Sequence, residues 1–235
     1  MLFLLSPAKM LDEHTPPPIT SLEQPELLQD SQALIDILRQ YSTEEIQSLM
    51  KVSERIAEQN VERFRDFEVP FTSQNAKPAL YLFNGDVYQG LSAYDLPENC
   101  VNFLNRHLAI LSGLYGAIRP LDLIAPYRLE MGTALPNPRG KNLYEFWGDL
   151  VTEYLNRRID EIDAKVVINL ASNEYFKAVR PEKLKARVVT PIFKDFSNGE
   201  YKVIGVYAKK ARGLMTRFVS ENNITDLQEL KKFNL

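Results

Sequence analysis

The sequence has 235 residues, of which 45% are hydrophobic and 25% charged, a composition that fits a folded globular protein and excludes a low-complexity chain. A chain of this length buries roughly 70% of its unfolded surface, so it needs no disulfide, and its single cysteine favours a reducing compartment. The net charge of −3 excludes a protein that is basic over its whole surface.

The first predicted elements are a buried strand and two helices. Leu2–Leu5 is an apolar run ended by Ser6-Pro7, which is typical of a strand followed by a turn. Apolar residues at helical spacing predict helices over Leu27–Tyr41 and from Ser42 to about Phe67, the second opened by a capping box of Ser42 and Glu45.

The opening apolar run is too short for a signal peptide. No other stretch reaches the ~20 apolar residues of a membrane helix. We therefore expect a cytoplasmic protein with no membrane partner.

The middle of the chain is predicted to contain one strand and two helices. The strand is expected over Ala79–Phe83, and the helices over Val101–Leu111 and Trp147–Ile162. Between those helices, four prolines predict a long irregular connection.

Three strands and a helix are predicted towards the end of the chain. Lys165–Leu170, Val188–Phe193 and Tyr201–Tyr207 read as strands, the last two joined by an Asn198-Gly199 hairpin turn, and Arg212–Asn222 reads as a helix. Strands scattered among helices, with no break in composition, predict an α/β (mixed α+β) fold. We expect one domain, residues 1–235, with a mixed sheet flanked by helices.

Basic residues are concentrated in one segment of this acidic protein. Residues 177–217 carry 11 Lys and Arg against 3 Asp and Glu. Within them, Lys209, Lys210 and Arg212 stand within four residues, followed by Gly213. Such a cluster at a helix start is typical of an anion site, because the free amides add to the attraction. The alternative is a solvated helix face.

Two further segments bring acids and bases together. Arg128 and Glu130 alternate with apolar residues and share a face of an extended segment, as an ion pair or as an anion holder beside a proton acceptor. Glu174, Tyr175 and Lys177 follow directly after a predicted strand, as the turn from Ser6 to Lys9 does. α/β folds place ligands at such strand ends. Glu130, Glu174 and Tyr175 are the candidates for acid–base work, and Lys9, Arg128 and Lys177 for anion binding.

A glycine hairpin gives a separate hypothesis about nucleic acid. Gly113 and Gly116 follow the predicted helix Val101–Leu111 and precede a short apolar segment. Helix-hairpin-helix modules present backbone amides to a DNA phosphate in this way. A helix C-cap also explains Gly113.

The sequence predicts no metal site and no cofactor. His14 and His107 are the only two histidines, far apart, and no glycine-rich phosphate loop is present.

Several motifs, taken in order, make this sequence resemble the YaaA family of bacterial cytosolic proteins of the peroxide-stress response. The motifs are Leu5-Ser-Pro-Ala-Lys9, Leu111-Ser-Gly-Leu-Tyr-Gly116, Arg119-Pro-Leu-Asp122, Pro126-Tyr-Arg-Leu-Glu-Met-Gly132, Phe146-Trp-Gly-Asp149, Asn169-Leu-Ala-Ser172, Glu174-Tyr-Phe-Lys177 and Tyr207-Ala-Lys-Lys-Ala-Arg-Gly213. They run from residue 1 to about residue 234 and are highly specific together.

The resemblance implies an uncommon α/β fold with a positively charged cleft and a helix-hairpin-helix-like element at Leu111–Gly116. It implies DNA as a partner, double-stranded or structured, and protection against oxidative damage by lowering free iron. By position, the cleft would be lined by Lys9, Arg128, Lys209, Lys210 and Arg212. Family members usually continue past Phe233 into another strand-like segment, so a last strand of the sheet is expected to be missing.

Three functions follow from these observations. The first is DNA binding in oxidative-stress protection, based on the basic segment and the glycine hairpin. The second is an enzyme acting on a phosphorylated or nucleotide-like small molecule, based on the carboxylates beside the cations. The third is iron sequestration, which is the weakest because a helical Glu-x-x-His pair is missing.

Overall fold

The structure, a computed structural model, describes residues 1–197, 200–202 and 205–233. Its strands, numbered along the chain, are β1 (Leu2–Leu5), β2 (Lys77–Pro78), β3 (Leu108–Ser112), β4 (Gly116–Ile118), β5 (Leu123–Ile124), β6 (Val166–Asn169), β7 (Arg187–Val189), β8 (Asp195–Ser197) and β9 (Glu200–Lys202).

Helices surround the strands. They are α1 (Leu28–Leu38), α2 (Thr43–Met50), α3 (Glu54–Arg65), α4 (Ala79–Leu82), α5 (Asp86–Leu91), α6 (Glu98–His107), α7 (Leu143–Trp147), α8 (Leu150–Glu161), α9 (Asn173–Phe176), α10 (Gly205–Glu221) and α11 (Leu227–Leu230). The predicted mixed α/β class is therefore confirmed.

The largest sheet of the described chain has five strands in the order β4-β3-β1-β6-β7. β1 lies at its centre and pairs in parallel with β3 and β6, and β7 extends the parallel part beyond β6. Both faces of β1 are covered, because its four residues are all buried, as expected for a parallel strand between helical layers. The carboxyl ends of β1, β3 and β6 consequently meet at one edge of the sheet.

Two smaller strand pairs complete the strand pairing. β2 pairs with β5, and β8 pairs antiparallel with β9, so a hairpin is present at the predicted turn. Its first strand is Asp195–Ser197 and not the predicted Val188–Phe193, of which only Val188 and Val189 belong to a strand, β7. The Asn198-Gly199 turn itself lies outside the described residues. The predicted strand Tyr201–Tyr207 is wrong in its second part, because α10 already begins at Gly205.

The early predictions hold with one correction. β1 occupies Leu2–Leu5 as expected, and Ser42 and Glu45 form the predicted capping box with reciprocal hydrogen bonds. The single helix expected from Ser42 to Phe67 is two helices, because Lys51 adopts a left-handed conformation that ends α2.

The predicted helix Val101–Leu111 and strand Ala79–Phe83 are both wrong in part. The helix ends at His107, and the chain continues as the buried strand β3. Ala79–Leu82 is a short helix, and the strand beside it is only Lys77–Pro78. A short, fully buried apolar run has no polar face, so its periodicity does not separate helix from strand.

The glycine hairpin is a β-hairpin and not a helix-hairpin-helix, so that prediction was wrong. β3 and β4 pair antiparallel, with Ser112 opposite Gly116. Gly116 has a φ of +68°, and Trp147 donates an indole hydrogen bond of 2.9 Å to the Gly113 carbonyl. The whole turn is buried, so the amides of Gly113 and Gly116 are not presented to a DNA phosphate.

Helices α5 and α10 pack with their backbones in close contact. A Cβ atom added to Gly213 of α10 would lie 1.8 Å from the Val87 carbonyl oxygen, and one added to Gly90 of α5 would lie 2.4 Å from that of Lys210. The glycine that follows the basic cluster in sequence, Gly213, therefore allows a neighbouring helix to approach its backbone. The contact fixes where the basic residues of α10 point.

Replacing Gly213 by alanine is expected to lower the free energy of unfolding by about 2 kcal/mol, because the new methyl group forces the two helices apart. Gly205→Ala, in the same helix, is the matched control, because a Cβ there meets no atom of the described residues within 4 Å. Urea unfolding of both variants checks the expectation. Equal stabilities for the two variants would show that the close contact is not rigid.

Candidate functional site

A cavity of about 520 Å³ lies where the chain leaves β1 and β6. Its walls are formed by the turn after β1, the start of α5, Glu130, the turn after β6 and one face of α10. The polar residues that line it are Ser6, Lys9, Asp86, Tyr88, Glu130, Ser172, Glu174, Tyr175, Lys209 and Arg212. Its position agrees with the rule that α/β folds bind ligands at the carboxyl ends of their strands.

Glu130 is held between two cations. Its Oε1 lies 3.0 Å from Lys9 Nζ and 3.4 Å from an Arg128 guanidinium nitrogen. The ion pair between Arg128 and Glu130 is one of the two arrangements that their spacing predicted. Lys9 remains 62% exposed at its side chain, whereas Arg128 is mostly buried. Arg128 does not line the cavity, and it shares the single charge of Glu130 with Lys9.

Hydrogen bonds fix the two turns to each other. The Ser172 amide donates to Ser6 Oγ at 2.9 Å, and the Tyr88 hydroxyl donates to the Ser6 carbonyl at 3.0 Å. Ser172 occupies the N-cap position of α9 without a side-chain cap bond. Glu174 Oε1 accepts the Gly132 amide at 3.0 Å, so this carboxylate has a fixed position in the wall.

Tyr175 places a phenol among these carboxylates. Burial raises the pKa of Tyr175 well above its ordinary value, and the neighbouring Tyr127, Glu174 and Glu130 raise it further. The phenol therefore stays neutral through the physiological range and keeps its proton. It can serve as a hydrogen-bond donor to a ligand.

Lys209 and Arg212 supply the cations of the α10 wall. Because they are three residues apart on a helix, they lie on one face. Among the described residues neither side chain has a carboxylate within ion-pair distance. Arg212 is half-buried, and this burial lowers the pKa of its guanidinium. The pair is thus available to an anion.

Several predicted site residues lie outside the cavity lining. Lys210 points away from it and is exposed, because successive helix residues are rotated by about 100°. Lys177 Nζ lies 4.8 Å from the centre of the Tyr144 ring. The basic cluster also lies within α10 rather than at its free amides, since the helix begins at Gly205.

Asp86 and Tyr88 are lining residues that sequence reasoning missed. Both belong to α5, which follows the segment that was assigned to a strand. Asp86 stands in the polar run Asn84-Gly85-Asp86, which is the signal that could have found it. Tyr88 carries no such signal, because a tyrosine among apolar residues is usually interpreted as part of the hydrophobic core.

Neither a metal cluster nor a membrane span was found in the described residues. Residues 1–197, 200–202 and 205–233 bring together no three His, Cys, Asp or Glu side chains that could hold an ion. Among the helices within these ranges, none is long and apolar enough to cross a bilayer.

The fold and the cavity define a mixed α/β protein with a charged cavity at the carboxyl ends of its parallel strands. The chain belongs to the YaaA family, because the family model described as "Peroxide stress protein YaaA" matches residues 1–235. The expected family is therefore confirmed, and membership supports a role in the peroxide-stress response.

Curated relatives resemble the chain over its full length. A UPF0246 protein of Neisseria gonorrhoeae (strain NCCP11945) is 53% identical over 234 residues, which cover 100% of this chain and 90% of the relative. A UPF0246 protein of Psychromonas ingrahamii is 55% identical over 234 residues, which cover 100% of this chain and 91% of that relative. One from Aliivibrio fischeri (strain MJ11) is 52% identical and covered to 90%.

Proposed function

We propose that this chain protects DNA during peroxide stress in the cytoplasm, by binding double-stranded or structured DNA through the basic face of α10, defined as the surface formed by Lys209, Lys210 and Arg212. Bound protein would shield DNA from iron and peroxide and so limit iron-dependent oxidative damage. The proposal depends on one observation. Lys209, Lys210 and Arg212 of α10 have no carboxylate partner among the described residues, whereas the fourth cation of the helix, Arg217, is paired with Glu221.

The exposure of three lysines supports the proposal. Lys209 and Lys210 are exposed on α10, and Lys9 is exposed at the rim of the cavity. Tyr207 precedes them and is 57% exposed, so its ring is open to stacking on a base. Exposed lysines bind phosphates by releasing counterions.

The test is fluorescence anisotropy of labelled duplex, bubble and single-stranded DNA at several salt concentrations. We expect micromolar or tighter binding that weakens steeply with salt. In the triple variant Lys209→Ala, Lys210→Ala, Arg212→Ala, the slope of log affinity against log salt should become shallower by about 2, because at least the two exposed lysines lose their phosphate contacts.

A matched triple variant controls for the loss of charge. Arg65→Ala, Lys165→Ala and Lys232→Ala also remove three cations, all of which are exposed and none of which lines the cavity. This control should bind DNA within about twofold of the wild type, because only remote charges change. If both triple variants lose affinity equally, net charge and not the α10 face governs binding. If the α10 variant binds like the wild type, the proposal fails.

A further inference from the structure

We propose that the cavity is a binding site for a small phosphorylated compound of nucleoside-monophosphate size, with its phosphate on Lys209 and Arg212 and its hydrogen-bond donors on Glu130 and Glu174. This goes beyond DNA binding, because it assigns a ligand to the interior of the cavity. The exposed rim is left to nucleic acid.

The balance of charge in the cavity favours a compact ligand. Its lining includes three cations, Lys9, Lys209 and Arg212, and also three acids, Asp86, Glu130 and Glu174. A polyanion inserted there would meet the carboxylates and be repelled. A compound with one phosphate can place its charge on α10 and present hydroxyl or amino groups to the acids.

The ion pairing of the three cations indicates where the phosphate of the ligand binds. Lys9 is already paired with Glu130 at 3.0 Å. Lys209 and Arg212 have no carboxylate partner among the described residues, and the Arg212 side chain is half-buried. A half-buried arginine is unfavourable unless an anion compensates for its lost hydration. Arginine also grips phosphate through two hydrogen bonds.

The other walls suit a polar organic group. Glu174 is fixed by the Gly132 amide and keeps acceptor capacity for a ligand hydroxyl. Ser6 and Ser172 supply hydroxyl groups in the linked turns. The volume of about 520 Å³ falls within the 300–1,000 Å³ that is usual for small-molecule sites.

The test is isothermal titration calorimetry of the full chain with adenosine monophosphate, guanosine monophosphate, ribose 5-phosphate, adenosine and inorganic phosphate. We expect at least one phosphorylated compound to bind at least tenfold more tightly than adenosine and inorganic phosphate do. Arg212→Gln and Glu174→Gln should each weaken that binding at least tenfold. Lys210→Ala should leave it unchanged, because Lys210 does not line the cavity.

The outcomes separate this site from DNA binding. Lys210→Ala is expected to weaken DNA binding and to leave binding of the small ligand unchanged. Glu174→Gln is expected to weaken binding of the small ligand and to leave DNA binding unchanged. Binding of inorganic phosphate as tight as that of every organic phosphate would overturn the inference, as would no saturation by any of these compounds at 10 millimolar, roughly ten times a weak millimolar Kd. Either result would leave the proposed DNA binding standing.

Discussion

Replacing Arg158 by methionine is expected to lower the free energy of unfolding by about 4 kcal/mol. Arg158 of α8 is fully buried, and its guanidinium donates to the Tyr154 hydroxyl at 3.0 Å and to the carbonyls of Asn105 and Arg106 at 2.9 Å each. Those carbonyls belong to the last turn of α6, where no later amide of the helix can donate a hydrogen bond to them. Methionine fills much of the volume but leaves these acceptors unsatisfied.

The neighbouring residue provides the control. Arg157 is 47% exposed and pairs with Glu26 at the surface, so Arg157→Met should change stability by less than about 1 kcal/mol. Urea unfolding followed by circular dichroism measures both variants. Equal losses would mean that Arg158 acts through its charge or helix propensity and not through the buried carbonyls.

The second large effect concerns pH. Burial raises the pKa of Asp122 to about 7, although its carboxylate accepts the Arg119 amide at 2.8 Å. The folded-state pKa lies above the unfolded value of 3.8, so the stability that Asp122 contributes is complete below about pH 4 and is lost as pH rises through about 7. The loss approaches about 4 kcal/mol by pH 8.

Asp122→Asn removes this titration while keeping an oxygen that can accept the Arg119 amide. We expect the stability of the variant to rise relative to the wild type between pH 4 and 8, whatever constant offset the buried amide adds. Taking the difference between the two proteins cancels other titrations, including that of His107, whose pKa is lowered by burial. Parallel stability curves across this range would contradict the expectation.

Much of the sheet can be predicted from sequence, because its strands are short apolar runs ended by polar turns. Leu2–Leu5 and Val166–Asn169 are of this kind, and both lie within the predicted strands. β3 was missed because Leu108 and Leu111 also fit a helical period that began with Phe103. The chain changes from α6 to β3 without a proline or glycine to mark the boundary.

The candidate site was predictable in part for a topological reason. The segments after β1 and β6 were expected to carry ligand groups, and the parallel pairing of these strands brings them together. The contribution of α5 was not predictable, because it depends on the close packing of Gly90 and Gly213. Lys209 and Lys210 are adjacent in sequence, and only their helical rotation decides which one faces the cavity.

Survival under hydrogen peroxide tests the central claim that the basic face of α10 is what protects the cell. Bacteria lacking their own copy of this gene would carry the wild type, the Lys209/Lys210/Arg212 triple alanine or the Arg65/Lys165/Lys232 triple alanine, at equal protein abundance. We expect the wild type and the remote triple variant to restore survival, and the α10 variant to fail by at least tenfold. Full protection by the α10 variant would contradict the account.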